Sequence, residues 1–593
     1  MTARKEMLSP ALLATLVCVL LAALLSWDHA REVWTTGAFF DTDDATRAVQ
    51  LRSWLNGQAW YDLGIARMDA PAGVFMHWSR IVDVPLAALV LLAKPFLGAD
   101  MAERFARLAF PALLFVGLLG ATGWAASVLG GARARVAGIV LCFLGAPFLG
   151  QFIVGRIDHH APQILLLVLM TGGAIASFDS ARARFAAFAA VCAALSLAIS
   201  LENLPFIVVI AASFPLLFLV RGEEARPALL WFAGALAPAL AVLFLATVGP
   251  THRLDGACDA FSIEHVAAGT AGSAALLALA LLAPRLRSFG ARAAAMLVCA
   301  PLPLLALAFV APRCLGDPFV GLDPLVREIW LRNVGEVEPL SSFLRTHFWA
   351  ALAMLVPMIC AALAAIAGVR RERGVARARY VLLAVLVLIA LAMTQWGIRT
   401  FSSGLPFVAI VAAPLICRFG DRFEPSVARY AAMSLFGVSF APLALALILP
   451  ADAAPNGHRT LACLTPQALA PLASQPRGLV LAPIDAGAHL LAFTPHSVLG
   501  APYHRNNDGN RLVLDAMLAP PDAARGIVTR SGAAYVAICA DEDQARLMAA
   551  RAPDGLAATL LAGRIPDWLV PVSLPSPLKL FRVRAMPRTG ADG

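Results

Sequence analysis

Three aspartates and an arginine, Asp41, Asp43, Asp44 and Arg47, share the nine-residue stretch FFDTDDATR at 39 to 47. Clustered carboxylates repel one another unless a cation, a proton or an arginine offsets them. Placed in one wet pocket, they can hold a divalent ion or take a proton from a hydroxyl. Helix capping is the structural alternative, yet a cap needs only one acid. A second group, Asp158, His159 and His160, lies in GRIDHHAPQ at 155 to 163. Asp158 and His160 are two residues apart, so they can share a cation, or one can orient the other for proton transfer; a polar helix end would look the same. NVGEVEPL at 333 to 340 adds Glu336 and Glu338. Arg399, in TQWGIRTFSSGLP, carries a planar fork suited to a phosphate or a carboxylate, while Trp396 beside it suggests simple interface anchoring.

What must position these groups is almost entirely apolar. Of 593 residues, 60% are hydrophobic and 14% charged, whereas soluble domains carry about 25% charged residues. A helix needs about 20 apolar residues to cross the hydrocarbon core, and blocks of that order recur throughout the chain. The composition predicts a polytopic α-helical membrane protein. Thirteen spans are expected, at 9–27, 108–129, 136–153, 164–178, 185–200, 206–220, 228–248, 267–283, 293–311, 348–368, 379–395, 405–417 and 430–449. The first follows MTARKEM and is read as a retained span, because no small-residue cleavage site precedes WDHAREVW. VPLAALVLL at 84 to 92 is too short to cross and is expected to lie in the interface or dip in as a half-helix.

With the N-terminus inside, the inner segments hold 19 Lys or Arg and the short outer loops almost none. That asymmetry supports the parity and accounts for much of the formal charge of +9, so nucleic acid is not an expected partner. The parity depends on leaving 84–92 out of the count. It puts the loops 28–107, 249–266 and 312–347, and everything after 450, on the outer face. All eleven histidines fall on that face or at the outer ends of spans.

The four cysteines outside the spans also face out, and an oxidising compartment would permit disulfides, most simply Cys258 with Cys314 and Cys463 with Cys539. No Cys/His zinc spacing is present. After 450 the pattern changes. RGLVLAPI, GAAYVAIC and LKLFRVR read as strands, and PDAARGIVTRSG and DEDQARLMAARA as helices. Two domains are expected: a transmembrane body, 1–450, with a large first outer loop at 28–107, and a small extracytoplasmic α/β domain, 451–593.

An Asp-rich motif after the first span, a second Asp motif in a later short outer loop, a multi-span body and an outer C-terminal domain resemble the C-type glycosyltransferase superfamily. Its members take a sugar from a polyprenyl-phosphate carrier. The motifs are most similar to oligosaccharyltransferase catalytic subunits: Phe40-Asp41 with Arg47 six residues after the aspartate, WYDLG at 60 to 64, Asp158-His159-His160, Glu336 in a Val-Gly-Glu context, and Arg399. The resemblance implies that Asp41, Asp158, His160 and Glu336 surround a divalent metal, Mg or Mn. Many C-type relatives lack the metal and use a first-loop aspartate as general base, a role open to Asp43 or Asp44. The Trp-Trp-Asp-Tyr-Gly box with which oligosaccharyltransferases read their sequon is absent from 450–593, which puts asparagine-linked protein glycosylation in doubt.

The expected function is inverting transfer of a hexosyl or pentosyl group from a polyprenyl-phosphate donor to an extracytoplasmic glycan, lipid or protein, at the periplasmic side of a bacterial inner membrane. Asp41, Asp43, Asp44 and Asp158 are the candidate catalytic residues. Arg47, Arg399, His77 and Arg80 are the candidates for donor binding. Tyr503, His504 and Arg505, in TPHSVLGAPYHRNNDG at 494 to 509, are those for acceptor binding. A flippase or transporter of lipid-linked saccharide is the alternative, but such proteins usually show repeated halves and charges inside the spans, and neither is seen here.

Overall fold

The structure is a computed structural model that describes residues 9–145, 150–317, 319, 321–420 and 461–584. The expected span at 430–449 lies outside them. Among the described residues, eight helical stretches are long and apolar enough to cross a membrane, and a bent pair, Pro10–Leu25 with Trp27–Thr36, makes a ninth if it is counted as one span. The chain is a multi-pass membrane protein.

That count is lower than the expected thirteen for identifiable reasons. Arg80–Leu144 runs for 65 residues, bends at Gly98 and Gly131, and contains two of the expected spans. Both glycines have φ near +75°, a conformation that side-chain-bearing residues avoid. Leu201–Thr247 contains two more, separated at Gly222, and Phe185–Ile199 is apolar but only 15 residues long. VPLAALVLL falls in the first section of the 65-residue run, where Leu91, Leu92 and Phe96 are exposed. Thr400–Gly420 packs along Arg80–Leu144, and Phe185–Ile199 lies between His160–Ser177 and Arg226–Thr247. Small residues make these close approaches possible: a Cβ on Gly172 would meet the Trp124 ring at 2.5 Å.

Beyond the long helices, the first outer loop forms the helix Thr42–Leu55 and a short antiparallel pair, Gly64–Ile65 with Val74–Phe75. The C-terminal segment builds a five-stranded sheet in the order Ser497–Val498, Leu479–Leu481, Tyr535–Ile538, Lys579–Val583, Leu569–Val572. Its first three strands are parallel and the last two pair antiparallel. The three strands and two helices expected in the tail all fall where the sequence patterns lie. Cys463–Cys539 ties the turn before the sheet to the end of its central strand, and Cys258–Cys314 joins the segments 249–266 and 312–347.

The sheet region and the first outer loop share one apolar core, in which Phe39, Val49, Met68 and Trp78 pack with Val480, Leu490, Val498 and Tyr503. Arginines stitch the join: Arg67 donates to the carbonyls of Leu491, Thr494 and His496, and Arg52 to that of Ala492. The Leu491 and Ala492 carbonyls belong to the last turn of the helix Ile484–Phe493, whose carbonyls lack intrahelical partners, and those of Thr494 and His496 follow it, so the arginine forks satisfy them at little cost. The C-terminal segment is thereby held against the last turn of Thr42–Leu55 and the chain that follows it.

Candidate active site

Asp41 stands in extended conformation immediately before Thr42–Leu55, and its Oδ1 accepts the amide of Asp43 at 2.8 Å. It is the helix cap. Asp43 and Asp44 follow in the first turn, where the aligned peptide dipoles favour negative charge. Asp44 is buried, and its Oδ1 accepts the amides of Ile157 at 2.7 Å and Asp158 at 3.2 Å. Asp158 in turn accepts the amide of His160 at the start of His160–Ser177. Two helix starts, far apart in sequence, are thus bound together through the Asp44 carboxylate, which accepts the amides just before His160–Ser177.

The centre of this arrangement is a guanidinium. Arg156 Nη1 lies 2.8 Å from Asp41 Oδ2, its Nε lies 3.2 Å from Asp44 Oδ2, and its Nη2 is paired with Asp158. Nη2 also donates to Gln151 Oε1 at 2.9 Å, and Glu336 Oε1 lies 3.9 Å away. Gln151 bridges onward to Glu336 at 3.2 Å. Gly155, with φ +105°, lets the chain turn just before the arginine. A Cβ there would press on Val33 and Phe40 at 3.0 to 3.3 Å.

A second knot adjoins the first. Glu202 Oε2 lies 2.8 Å from His160 Nδ1, and its Oε1 lies 3.1 Å from Arg399 Nη2 and 3.8 Å from His159 Nε2. His160 Nε2 is 3.7 Å from Glu336 Oε2, which closes the ring. Arg399 keeps 37% of its side chain exposed. The Glu202 charge leads in holding Arg399 firmly protonated, and Glu336, Asp43 and Asp158 add to it.

Protonation differs sharply among the aspartates. Burial, helped by the Asp41 charge, raises the Asp43 carboxyl well above the usual range. Burial also raises Asp44, to about 8, against the pull of Arg156. Asp158 is buried too, but Arg156 and the two histidines outweigh that and hold it well below the usual range. Neighbouring carboxyls therefore include proton holders and a permanent anion, the division that acid–base chemistry uses.

The other expected residues gather elsewhere. His77, Tyr503, His504 and Arg505 come together around Asp259. The Tyr503 hydroxyl accepts the His77 amide at 2.7 Å and lies 2.5 Å from His77 Nδ1, and the two rings stack. Arg505 grips Asp259 through Nε and Nη2, both at 2.8 Å, and His504 Nε2 is 2.6 Å from the same carboxylate. Trp78, between the two groups, contacts His159 at 5.9 Å and Tyr503 at 6.0 Å.

Two expectations need correction. Arg47 and Arg80 are not presented to a donor: both are buried and share Asp83, at 2.9 and 3.1 Å. Gln50 and the Asp62 carbonyl complete that network, and Arg47 stacks on Trp78 at 4.8 Å. Asp83 offsets one of the two charges, and carbonyl and amide oxygens hold the rest of the Arg80 fork. Nor do Asp41, Asp158, His160 and Glu336 fit a divalent ion, because the Arg156 guanidinium takes the carboxylate oxygens that would ligate it. The described residues offer other groups close enough for a metal: His77–Asp259–His504, His159–His160–Glu202, and Cys258–Glu264–Cys314, whose sulfurs form the disulfide.

Sequence reasoning gave no site role to Arg156, Glu202, Gln151, Asp83 or Asp259. Arg156 did carry a signal, since an arginine in a short outer loop runs against the charge asymmetry of the spans. Glu202 lies in the turn SLENLP after Phe185–Ile199, and nothing in the one-dimensional pattern links it to His160.

No protein-family model matches the sequence, and no curated protein matches it. Solved structures do. The chain superimposes on the oligosaccharyltransferase of Archaeoglobus fulgidus tethered to an acceptor peptide containing the NVT sequon, with a TM-score of 0.66 and 14% identity over 97% of this chain and 75% of that one. The archaeal oligosaccharyltransferase AglB from the same organism, in complex with an inhibitory peptide and a dolichol-phosphate, gives 0.65 and 14%, over 92% and 72%. Its complex with Zn and sulfate gives 0.59 and 13%, over 91% and 70%. The chain therefore shares the fold of these archaeal oligosaccharyltransferases.

Proposed function

We propose that this protein is a membrane glycosyltransferase that moves a sugar from a polyprenyl-phosphate carrier to an extracytoplasmic acceptor. The observation that carries the reading is the meeting of the first-loop aspartates with Asp158 and Glu336 around Arg156, beside a half-exposed Arg399. The fold shared with proteins crystallised with dolichol-phosphate and acceptor peptide supports it.

The chemistry follows from the protonation pattern. An acceptor hydroxyl attacks the anomeric carbon as the bond from that carbon to the phosphate oxygen breaks. The hydroxyl proton passes to the carboxylate form of Asp43, a minor fraction at neutral pH because its pKa is raised, but a stronger base than an ordinary carboxylate. The polyprenyl phosphate leaves with its new charge facing Arg399, whose fork matches phosphate oxygens. A single displacement of this kind inverts the anomeric centre. Asp41, Asp44 and Asp158 fix the helix starts that aim Asp43, and no step is routed through a metal.

In this reading the site lies at the periplasmic lip of a bacterial inner membrane, the thirteen-span parity holds with 430–449 as the last span, and 451–593 caps the site. Tyr503, His504 and Arg505, with His77, would line the acceptor side. Mass spectrometry of envelope glycans and glycolipids, comparing a deletion strain with strains expressing wild-type or Asp43→Asn protein, tests the function. A sugar lost on deletion and restored by wild type but not by the variant is expected. Full restoration by Asp43→Asn removes the assignment of the base, and no glycan change on deletion removes the function. Cysteine labelling from outside at position 159 tests the parity.

A further inference from the structure

Arg156 meets its three aspartates in a way that has consequences for cofactor use. Each edge of its guanidinium faces a different carboxylate: Nη1 faces Asp41, Nε faces Asp44 and Nη2 faces Asp158. Its side chain is only 2% exposed, and its amide is anchored to the Ile153 carbonyl. The fork cannot swing to water without leaving buried carboxylates unpaired, and an arginine does not lose its proton in a protein.

A divalent ion bridging the two loops would need oxygens from Asp41 and Asp158 at about 2.0 to 2.6 Å, with further oxygens around it. Asp41 Oδ2 and Asp158 Oδ2 are the atoms that Arg156 holds. Asp44 has Oδ1 on the amides of Ile157 and Asp158, and its Oδ2 faces Arg156 Nε at 3.2 Å without a hydrogen bond. An ion placed there would also stand against a fixed positive charge in a poorly solvated site.

We propose that Arg156 is the resident cation of this cluster: it gathers Asp41, Asp44 and Asp158 as a divalent ion would, and the cluster takes no metal. The inference rests on the glycosyltransferase reading only for its functional meaning, since the binding claim can be tested without turnover. Because the cation is carried by the chain, the geometry of the two helix starts would not vary with metal supply.

The test is titration of the intact protein in detergent micelles with Mn2+ alone, read by the loss of the free-ion electron paramagnetic resonance signal. Wild type and an Asp41→Asn/Asp158→Asn double variant should remove the same amount of signal, so that any binding common to both lies elsewhere in the protein. One extra site per chain in wild type, missing from the double variant, overturns the proposal. Arg156→Gly, which vacates the centre, should gain a site that Asp158→Asn then abolishes. A folded Arg156→Gly protein that gains none also overturns it. If that variant does not fold, the comparison of wild type with the double variant decides alone. Turnover separates this inference from the reading beneath it. Donor consumption unchanged by EDTA agrees with both, consumption lost to EDTA and restored by Mn2+ but not after Asp158→Asn defeats only the present inference, and no consumption under any condition defeats the glycosyltransferase reading.

Discussion

Glu202 Oε1 lies 3.1 Å from Arg399 Nη2, and the same carboxylate reaches His160 with its other oxygen at 2.8 Å. One acid thus connects the start of His160–Ser177 to the arginine before Thr400–Gly420, two segments with no sequence relationship. Arg399 is held by Glu202 while part of its side chain stays exposed. If Arg399 receives the leaving phosphate, Arg399→Ala should lower kcat/KM for a polyprenyl-phosphate sugar by about 10- to 100-fold, the worth of a charge-assisted hydrogen bond. Arg399→Lys should recover part of the loss, because a point charge lacks the planar fork. Glu202→Gln removes the support rather than the contact, so its effect should be smaller, with Glu202 and Arg399 both partly exposed. Steady-state kinetics on the purified protein would separate the three.

The Asp44 carboxyl gives a pH signature. Burial raises it to about 8, whereas an unfolded aspartate titrates near 3.8. Between those values the folded protein binds the extra proton, so stability falls as pH rises. The contribution is complete below about pH 4 and is lost by about pH 8, at a slope on the order of 1 kcal/mol per pH unit. Asp44→Asn keeps an oxygen to accept the Ile157 amide and cannot ionise. Melting temperatures followed from pH 5 to 8 should decline in wild type and flatten in this variant. An equal decline in both would mean that Asp44 is ionised throughout.

Tyr503 joins the C-terminal segment to the first outer loop through one hydroxyl, which accepts the His77 amide and sits against His77 Nδ1. Tyr503→Phe keeps the ring stack but strands a backbone donor. The cost should be about 1 to 3 kcal/mol of stability. His504→Ala leaves that hydroxyl in place, so it should be milder in a melt, although it removes a partner of Asp259. The opposite order would place the principal link between the two segments at Asp259 instead.

How far the sequence disclosed these features depends on whether local or distant contacts create them. The apolar helices and the tail strands rest on local periodicity, and of the three pairings open to the four cysteines outside the spans the structure has the simplest, Cys258–Cys314 and Cys463–Cys539. Asp41, Asp43, Asp44 and Asp158 were visible because carboxylates are rare and conspicuous at a membrane edge. Arg47 and Arg80 were misread because Asp83, their common partner, stands alone in the sequence and only the fold brings the three together. Arg156 had a charge-pattern signal, but its role depends on three carboxylates whose geometry no spacing rule encodes. Span counting was blurred where helices follow one another across single glycines, as at Gly98, Gly131 and Gly222.

The helix Ile484–Phe493 offers a steric test of how the C-terminal segment is seated. Gly487 lies where the helix crosses the chain at Gly500, and a Cβ there would fall 2.0 Å from the Gly500 carbonyl oxygen and 3.0 Å from the Ala501 Cα. Both obstacles are backbone, so no rotamer change can relieve them. In an exposed helix glycine to alanine would stabilise; here Gly487→Ala should destabilise by about 1 to 3 kcal/mol or more, as overpacking does. The same helix carries Asp485, raised to about 6 chiefly by burial, and His489, lowered to about 4 by burial, and both lie within electrostatic reach of Asp41. Displacing the helix should therefore weaken donor turnover as well as the melt. Limited proteolysis provides the control: cleavage in 461–584 should accelerate in Gly487→Ala while the membrane-embedded fragments stay intact. Unchanged proteolysis, melting and turnover would show that the helix does not pack against Gly500 in the working protein.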